Sequence, residues 1–279
     1  MEAQLEKIRE VQKEAWSKSS QGWKKWDEMV MNFMKPASDE MIRMLKIKSS
    51  DIVLDVATGT GEPGLTIAGM LKEGKVTGID LSEEMLAVAR EKASGRGTRN
   101  FETACCDVSE LPFEDNSFDV ICCRFGFMFF PDMQLALKEM IRVLKPGGRI
   151  ATSVWNVPEK NFWIYASMET MISMLQLNPP GPGATGAFRC SQKGFMAELL
   201  KQAGFTNIAS KEVDGKLNCG TLETYWSFIT EVGSPLAYSK ADRDLQNRIK
   251  EVVLAKVKQK SPDGNIALDS NAIVVYGEK

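Results

Sequence analysis

The segment "DIVLDVATGTGEPG" (residues 51–64) joins a short apolar run to a glycine-rich turn. The apolar run predicts a β-strand over 51–57, and the residues that follow predict a helix over 62–72 with Pro63 in its first turn. The three glycines fit the spacing G-x-G-x-x-G, which brings backbone close to a bound nucleotide. Because this pattern alone has many false matches, the neighbouring segments have to identify the fold and the ligand.

Downstream of this turn, strand patterns alternate with helical ones. Further strands are predicted at residues 75–80, 100–107, 118–125, 148–155, 205–213 and 271–279. The intervening helices include "SEEMLAVAREKA", for which Ser82 is the predicted N-cap. Strands that are apolar on both faces and alternate with helices are typical of a parallel sheet covered on both sides. We therefore expect a doubly wound α/β unit over about residues 48–155.

The outer segments are predicted to be largely helical. Residues 1–46 indicate helices with a stop at Pro36, after which Ser38 and Asp39 are candidate caps. Further helical segments follow the fifth and sixth strands, and the Pro/Gly-rich stretch "NPPGPGATG" (178–186) predicts a loop. These helices are expected to fold over one edge of the sheet.

The charge distribution argues against several classes of partner. With 35 Lys and Arg against 37 Asp and Glu, the net charge is -2, so the chain has no basic field for a nucleic-acid backbone. The first sixteen residues are charged throughout and lack the apolar core of a signal peptide, and no apolar run has the length of a membrane span. We expect a soluble, cytoplasmic protein, and the sequence leaves its oligomeric state open.

Two further features of the composition limit the chemistry. The six cysteines form two adjacent pairs and two single residues, which predicts reduced thiols in the core rather than a zinc site or disulfides. The chain has no histidine, which removes the commonest general base near neutral pH and the commonest transition-metal ligand. No metal site is therefore expected.

Acidic residues around the glycine turn indicate the charge of its ligand. Asp55 precedes the turn and Glu62 lies inside it, and carboxylates there would repel a pyrophosphate. Asp80 ends the second strand, where either a nicotinamide or a sulfonium nucleoside would offer ribose hydroxyls. Asp107 adds a third strand-end acid that dinucleotide sites lack. The set favours S-adenosylmethionine, whose sulfonium and ammonium are cationic.

At this point the sequence resembles a known family. "VLDVATGTGEPG", "VTGIDLSEEML", "CDVSELPFEDNSFDVI" and "IRVLKPGGRI", in this order, resemble the motifs of class I S-adenosylmethionine-dependent methyltransferases. The resemblance is strongest to the branch that contains the ubiquinone/menaquinone C-methyltransferases and small-molecule tailoring enzymes, and it covers about residues 50–155. It implies an α/β fold with a doubly wound seven-stranded Rossmann-like methyltransferase sheet and helical lid segments.

The resemblance also implies which residues bind the cofactor. The implied set is Asp55, Ala57, Thr58, Gly59, Gly61, Asp80, Leu81, Met85, Cys106, Asp107, Val108, Arg124 and Phe125. Within it, the glycine turn holds the methionine and ribose part, and Asp80 accepts from the ribose hydroxyls. Leu81 packs on the adenine, Asp107 and Val108 read the adenine edge, and Arg124 reaches the methionine part.

The outer helices are expected to form the acceptor side. Residues 1–47 would be an N-terminal helical lid, and residues 48–279 the methyltransferase domain with helical insertions at about 156–190 and 221–262. Candidate substrate residues are Trp23, Trp26, Phe129, Trp163 and Met168. A lid rich in methionine and aromatic residues suits a small hydrophobic acceptor, although the same stripes also fit plain core packing between helices.

Methyl transfer to that acceptor is the predicted activity, with the O, N, S or C atom unresolved. Because the donor is an activated cation, alignment and exclusion of water can supply most of the rate, and no catalytic residue is assigned. The segment "FGFMFFPD" (125–132) has Phe127, Met128 and Phe129 where quinone C-methyltransferases usually continue with Leu-Arg-Asn. The alternatives are nevertheless a quinone-type C-methyltransferase or an S-adenosylmethionine-binding protein without methyl transfer.

Overall fold

A seven-stranded sheet forms the centre of the protein, in the order β3-β2-β1-β4-β5-β7-β6. The computed structural model describes residues 2–177, 184–233, 238–239 and 241–279. The strands are β1 (Ile52–Val56), β2 (Lys75–Asp80), β3 (Phe101–Cys105), β4 (Phe118–Arg124), β5 (Leu144–Trp155), β6 (Thr206–Gly220) and β7 (Ile266–Glu278). The predicted α/β class and all seven predicted strands are confirmed.

Strand directions divide the sheet into two parts. Strands β1 to β5 run parallel, as the alternating pattern predicts, while β7 pairs antiparallel with both β5 and β6. β6 and β7 are longer than predicted, because twelve residue pairs join them along most of their length. The parallel part places the carboxyl ends of β1 to β4 along one edge, which is where ligands bind in open α/β sheets.

Nine α-helices within the described residues surround the sheet. They are α1 (Glu2–Lys25), α2 (Asp27–Leu45), α3 (Gly64–Ala68), α4 (Glu83–Arg96), α5 (Met133–Val143), α6 (Phe162–Met174), α7 (Phe195–Gln202), α8 (Leu222–Gly233) and α9 (Arg243–Lys260). The predicted cap of α4 is confirmed, since the Ser82 hydroxyl accepts from the Met85 N–H at 3.2 Å. Within the described parts of the chain, none of the helices has the length and apolar composition to cross a membrane.

The predicted helix stop at Pro36 is wrong. α2 continues through Pro36, so Ser38 and Asp39 lie inside the helix and cap nothing. A proline inside a helix costs about 3 kcal/mol, because it removes a hydrogen bond and crowds the preceding turn. The buried face of α2, which includes Phe33 and Met41, packs on the sheet and offsets this cost. Tertiary packing therefore overrides the local signal.

Two other predicted segments differ from the structure. The helix predicted over 62–72 is only the short α3, which begins directly after Pro63. The predicted loop over 178–186 and the predicted helical stretch over 221–260 fall partly on residues 178–183, 234–237 and 240, which lie outside the described residues.

The N-terminal helix α1 is anchored on α8. Trp23 Nε1 donates to the Val232 carbonyl oxygen at 3.0 Å, and Lys25 pairs with Glu231 at 2.8 Å. At Gly22 the two helices approach so closely that an added Cβ would lie 2.0 Å from the Glu231 carbonyl oxygen. Only glycine allows this contact.

Gly22→Ala should lower the free energy of unfolding by about 1–3 kcal/mol, because the new methyl group forces α1 away from α8. Gly95→Ala is the matched control: this helical glycine in α4 has nothing within 4 Å of an added Cβ. That substitution should raise stability by up to about 1 kcal/mol. Urea denaturation measures both, and equal stabilisation of the two variants would contradict the α1–α8 contact.

Candidate active site

A buried carboxylate organises the glycine turn after β1. Asp55 is completely buried; its Oδ2 accepts from Thr58 Oγ1 at 2.6 Å and from the Gly64 N–H at 2.9 Å, and its Oδ1 accepts from Cys122 Sγ at 3.3 Å. Burial raises the pKa of Asp55 to about 6, and the hydrogen bonds oppose that shift. Asp55 therefore ties the turn, α3 and β4 together, and the bonds engage both of its oxygens inside the protein.

The second acid of the turn has a protein partner as well. Glu62 is buried, with its Oε1 2.5 Å from Arg96 and its Oε2 accepting from the Thr66 N–H and hydroxyl. Lys92, one helical turn from Arg96, pairs with Asp27 at 2.6 Å. The expectation that Glu62 faces a cationic ligand is therefore wrong, because α4 supplies the opposite charge.

Asp80 lies at the carboxyl end of β2, directly beside the glycine turn. Its Oδ2 accepts from the Gly59 N–H at 2.9 Å and its Oδ1 accepts from the Ser82 N–H at 2.9 Å. Burial raises the pKa of Asp80, against the effect of these backbone donors. The Leu81 N–H also donates to this carboxylate, and the two oxygens keep part of their acceptor capacity for a ligand.

Asp107 follows the end of β3, the next strand along the same edge. Its Oδ1 accepts from the Ser109 N–H at 2.7 Å, and its Oδ2 forms an ion pair with Arg9 Nε of α1. Cys106 and Val108, its predicted companions, flank it, and Val108 is buried. The structure thus brings the two strand-end acids of β2 and β3 to one edge, as predicted.

The end of β4 approaches the glycine turn from the other side. Ala57 and Phe125 both have positive φ, at 54° and 58°, which is uncommon for residues with a side chain. A Cβ on Gly126 would lie 2.6 Å from Cys123 Sγ and 2.9 Å from the Ala57 Cβ. The backbones of the two strand ends are therefore in close contact, and Gly126 is required there.

Arg124, the last residue of β4, is a half-buried cation. Its Nη1 donates to the Ser38 hydroxyl of α2 at 3.2 Å. Burial lowers its pKa, which the negative charges of Glu62 and Asp55 oppose. No carboxylate of the described residues lies within 4 Å of its guanidinium nitrogens, so this cation has capacity for an anionic group.

The predicted substrate residues fall into separate clusters. Trp23 packs edge-on against Trp16, at 6.1 Å between ring centroids, and Trp16 packs on Phe129 at 5.0 Å. Trp26 instead donates to Glu231 Oε2 at 2.9 Å and packs on Phe228 of α8.

The other two predicted substrate residues lie on α6. Trp163 is buried against Phe33 and Trp155, and Phe125 stacks on Trp155 with ring centroids 4.0 Å apart. Met168 is half-buried in the same helix. Of the five predicted substrate residues, Trp23 and Phe129 belong to the same cluster. Trp16 belongs to that cluster too, although it was not among the predicted substrate residues.

Sequence reasoning also missed the residues of α1 that reach the strand-end acids. Besides Arg9, Ser17 Oγ lies 3.0 Å from Ser82 Oγ and donates to Glu84 Oε2 at 2.5 Å. Nothing in the local pattern of α1 marks these positions, because their partners are 65 or more residues away. Among the described residues there is no cluster of acids and thiols that could hold a metal ion.

Comparisons with known proteins agree with this arrangement. Residues 53–148 match a family described as a methyltransferase domain. Demethylmenaquinone methyltransferase from Listeria monocytogenes serotype 4a (strain HCC23) is 42% identical over 123 residues, which are 43% of this chain and 52% of that relative. The chain thus spans about half the length of the curated relatives it matches.

Solved structures extend the likeness of fold beyond this segment. The YcgJ protein of Bacillus subtilis aligns with a TM-score of 0.61 and 21% identity, over 87% of this chain and 97% of that chain. A SAM-dependent methyltransferase from Aquifex aeolicus aligns with a TM-score of 0.52 and 24% identity, over 68% of this chain and 89% of that chain. The predicted resemblance to class I S-adenosylmethionine-dependent methyltransferases, and to their menaquinone branch, is confirmed.

The pKa of Asp55 predicts a particular dependence of stability on pH. Because its folded pKa of about 6 exceeds the ordinary 3.8, Asp55 stabilises the protein fully below pH 3.8 and loses that contribution as the pH rises through 6. Between pH 4 and pH 7, the stability of the wild type relative to Asp55→Asn should fall by up to about 3 kcal/mol. Urea denaturation across this range measures the difference, and a constant difference would rule out the raised pKa.

Proposed function

We propose that the protein transfers a methyl group from S-adenosyl-L-methionine to a small hydrophobic acceptor. The observation that carries this proposal is the placement of Asp80 and Asp107 at adjacent strand ends beside the glycine turn. Two carboxylates at one edge suit the hydroxyl and amino donors of a nucleoside and disfavour a pyrophosphate. The family match over residues 53–148 supports the same activity.

The predicted cofactor residues have consistent roles in this proposal. Asp80 would accept from the ribose hydroxyls, Leu81 and Met85 would pack beside the adenine, and Asp107 would accept from its amino group. Arg124 would bind the carboxylate of the methionine part, since its guanidinium has no carboxylate within 4 Å among the described residues. Asp55 acts through the turn: by binding Thr58 and Gly64, it positions the backbone of Gly59 and Gly61.

Catalysis in this proposal relies on orientation rather than on a protein base. The bound cofactor would supply a methyl group on a cationic leaving group, so alignment with the acceptor and exclusion of water are the main tasks of the protein. The chain has no histidine, and burial raises the pKa of Cys106, Cys122 and Cys123. A histidine or one of these thiolates therefore does not take the proton of the acceptor in this proposal.

The acceptor is proposed to meet the aromatic cluster of Trp16, Trp23 and Phe129. Phe127 and Met128, which stand where quinone methyltransferases carry other residues, are fully buried, and the Met128 sulfur accepts from the Trp155 N–H at 3.5 Å. Of residues 127–129, which differ from the sequence of the quinone methyltransferases, only Phe129 is half-buried, and it packs on Trp16 of α1. An apolar ring there favours a hydrophobic tailoring-type acceptor over a quinol head that needs polar partners.

The net charge and the thiols of the chain support a proposal for the compartment and the substrate class of the enzyme. We propose a cytoplasmic enzyme without a nucleic-acid substrate, with residues 1–47 as a lid over the domain 48–279. All six cysteines are unpaired thiols, which suits a reducing compartment.

Asp80→Asn should raise the dissociation constant for S-adenosylmethionine by about 100-fold, because two charge-assisted hydrogen bonds to ribose are weakened. Isothermal titration calorimetry measures the affinity, and the melting temperature checks that the variant is folded. Asp39→Asn, which removes an exposed acid paired with Lys35, is the control and should bind normally. An unchanged affinity of the Asp80 variant would refute the ribose assignment.

Phe129→Ala should raise the KM for a hydrophobic acceptor about tenfold through loss of aromatic contact, and change the affinity for S-adenosylmethionine less than twofold. Phe113→Ala is the matched control, since Phe113 is also half-buried with one edge-on partner, Phe118, at 5.1 Å.

A screen of hydrophobic phenols, amines and thiols, scored by S-adenosylhomocysteine release, identifies the acceptor. Release with only a prenylated quinol would favour a quinone-type C-methyltransferase. No release with any acceptor would favour an S-adenosylmethionine-binding protein without methyl transfer.

A further inference from the structure

Helix α1 lies along the edge of the sheet where the nucleoside of the proposed cofactor would bind. Arg9 pairs with Asp107 beyond β3, and Ser17 contacts Ser82 beyond β2. These two residues are eight positions apart, which is about 12 Å along a helix. α1 therefore contacts both strand ends that carry the nucleoside-binding acids, rather than only the acceptor side.

Asp107 is held from two directions. The Ser109 N–H binds its Oδ1 at 2.7 Å from within its own turn, while Arg9 pairs with its Oδ2 from α1. Both side chains of the ion pair are about four-fifths buried, with 21% and 23% of their surfaces exposed. A partly buried cation in direct contact restricts the rotation of the carboxylate.

A carboxylate held in this way still has lone pairs for a ligand. Each oxygen accepts up to two hydrogen bonds; the Ser109 N–H uses one on Oδ1, and Arg9 Nε lies in ion-pair contact with Oδ2. An amino group can donate to the remaining lone pairs. A carbonyl oxygen at the same place would face a fixed negative charge without a donor between them, which is unfavourable.

We propose that Arg9 is a positioning residue for adenine recognition: by holding Asp107 fixed in orientation, it makes the site select a 6-amino purine over a 6-oxo purine. This inference rests on the proposed function, which assigns Asp107 to the adenine edge. It gives the N-terminal helix a role in recognising the adenine, whereas the sequence predicted that this helix lies on the acceptor side. Arg9 acts through Asp107, so its effect is on base selectivity.

The test compares S-adenosyl-L-homocysteine with S-inosyl-L-homocysteine, which has an oxo group in place of the 6-amino group and a proton on N1, by isothermal titration calorimetry on the full chain. The wild type should bind the adenosyl ligand about 100-fold more tightly or better, because the inosyl ligand offers Asp107 no 6-amino donor and places an oxygen beside it. Arg9→Met should lower this preference about tenfold, mainly by weakening the adenosyl ligand. Arg9→Lys, which keeps the charge, should retain part of the preference.

Lys18→Met is the matched control, since it removes a cation from the solvent face of the same helix, where Lys18 pairs with Glu14 at 2.5 Å. It should leave the preference unchanged, whereas a loss of helix stability would affect both ligands equally. Should Arg9→Met fail to fold, the preference is read from Arg9→Lys.

The outcomes separate the two proposals. An undiminished preference in Arg9→Met, or tighter binding of the adenosyl ligand, would overturn the role of Arg9 and leave the proposed function standing. A wild type that binds neither ligand would overturn the proposed function itself.

Discussion

The site depends on the hydrogen bonds of the buried Asp55 carboxylate. Donors from three segments replace the water that this carboxylate loses on burial: Thr58 in the turn, Gly64 at the start of α3 and Cys122 on β4. A Cβ on Gly64 would lie 2.7 Å from the Asp55 Oδ2, so glycine is required where α3 meets this carboxylate. The glycines of the opening motif therefore serve two purposes. Gly59 and Gly61 have positive φ and shape the turn, and Gly64 lets the helix approach Asp55.

With the turn held by Asp55, the other polar groups of the edge acquire fixed directions. The Gly59 N–H donates to the Asp80 carboxylate, so a backbone donor after the first strand is linked to the side chain that ends the second strand. At the same edge, Gly126 brings β4 against Ala57. The cost of burying Asp55, visible in its raised pKa, is the cost of a preorganised site.

The parallel half of the fold was predictable from local patterns, whereas the peripheral elements were not. Strands β1 to β4 are five to seven residues long, so the pattern that predicts each of them lies within its own residues. The continuity of α2 through Pro36 depends instead on the sheet beneath it, and the antiparallel direction of β7 depends on pairing with β5 and β6. Such features arise from contacts between distant segments, which no local window contains.

The same distinction applies to the site. Asp80 and Asp107 could be placed from sequence because parallel strands bring their carboxyl ends to one edge whatever the packing outside. The ion pair of Glu62 could not be predicted from the sequence, because its partner Arg96 is 34 residues away on another element. The aromatic residues were the hardest to assign: tryptophans Trp23 and Trp26 are three positions apart, yet they donate to different atoms of α8 and only Trp23 belongs to the cluster around Phe129.

The position of α1 joins the two halves of the proposed reaction. Arg9 and Ser17 contact the nucleoside edge, and Trp16, adjacent to Ser17, contacts Phe129 on the acceptor side. Because these residues share one continuous helix anchored on α8, a displacement of α1 from Asp107 also displaces Trp16 from Phe129. In the proposed reaction, the same helix would therefore cover the donor and exclude water from the acceptor. Orientation in a dry site matters there because the chain has no histidine to serve as a general base.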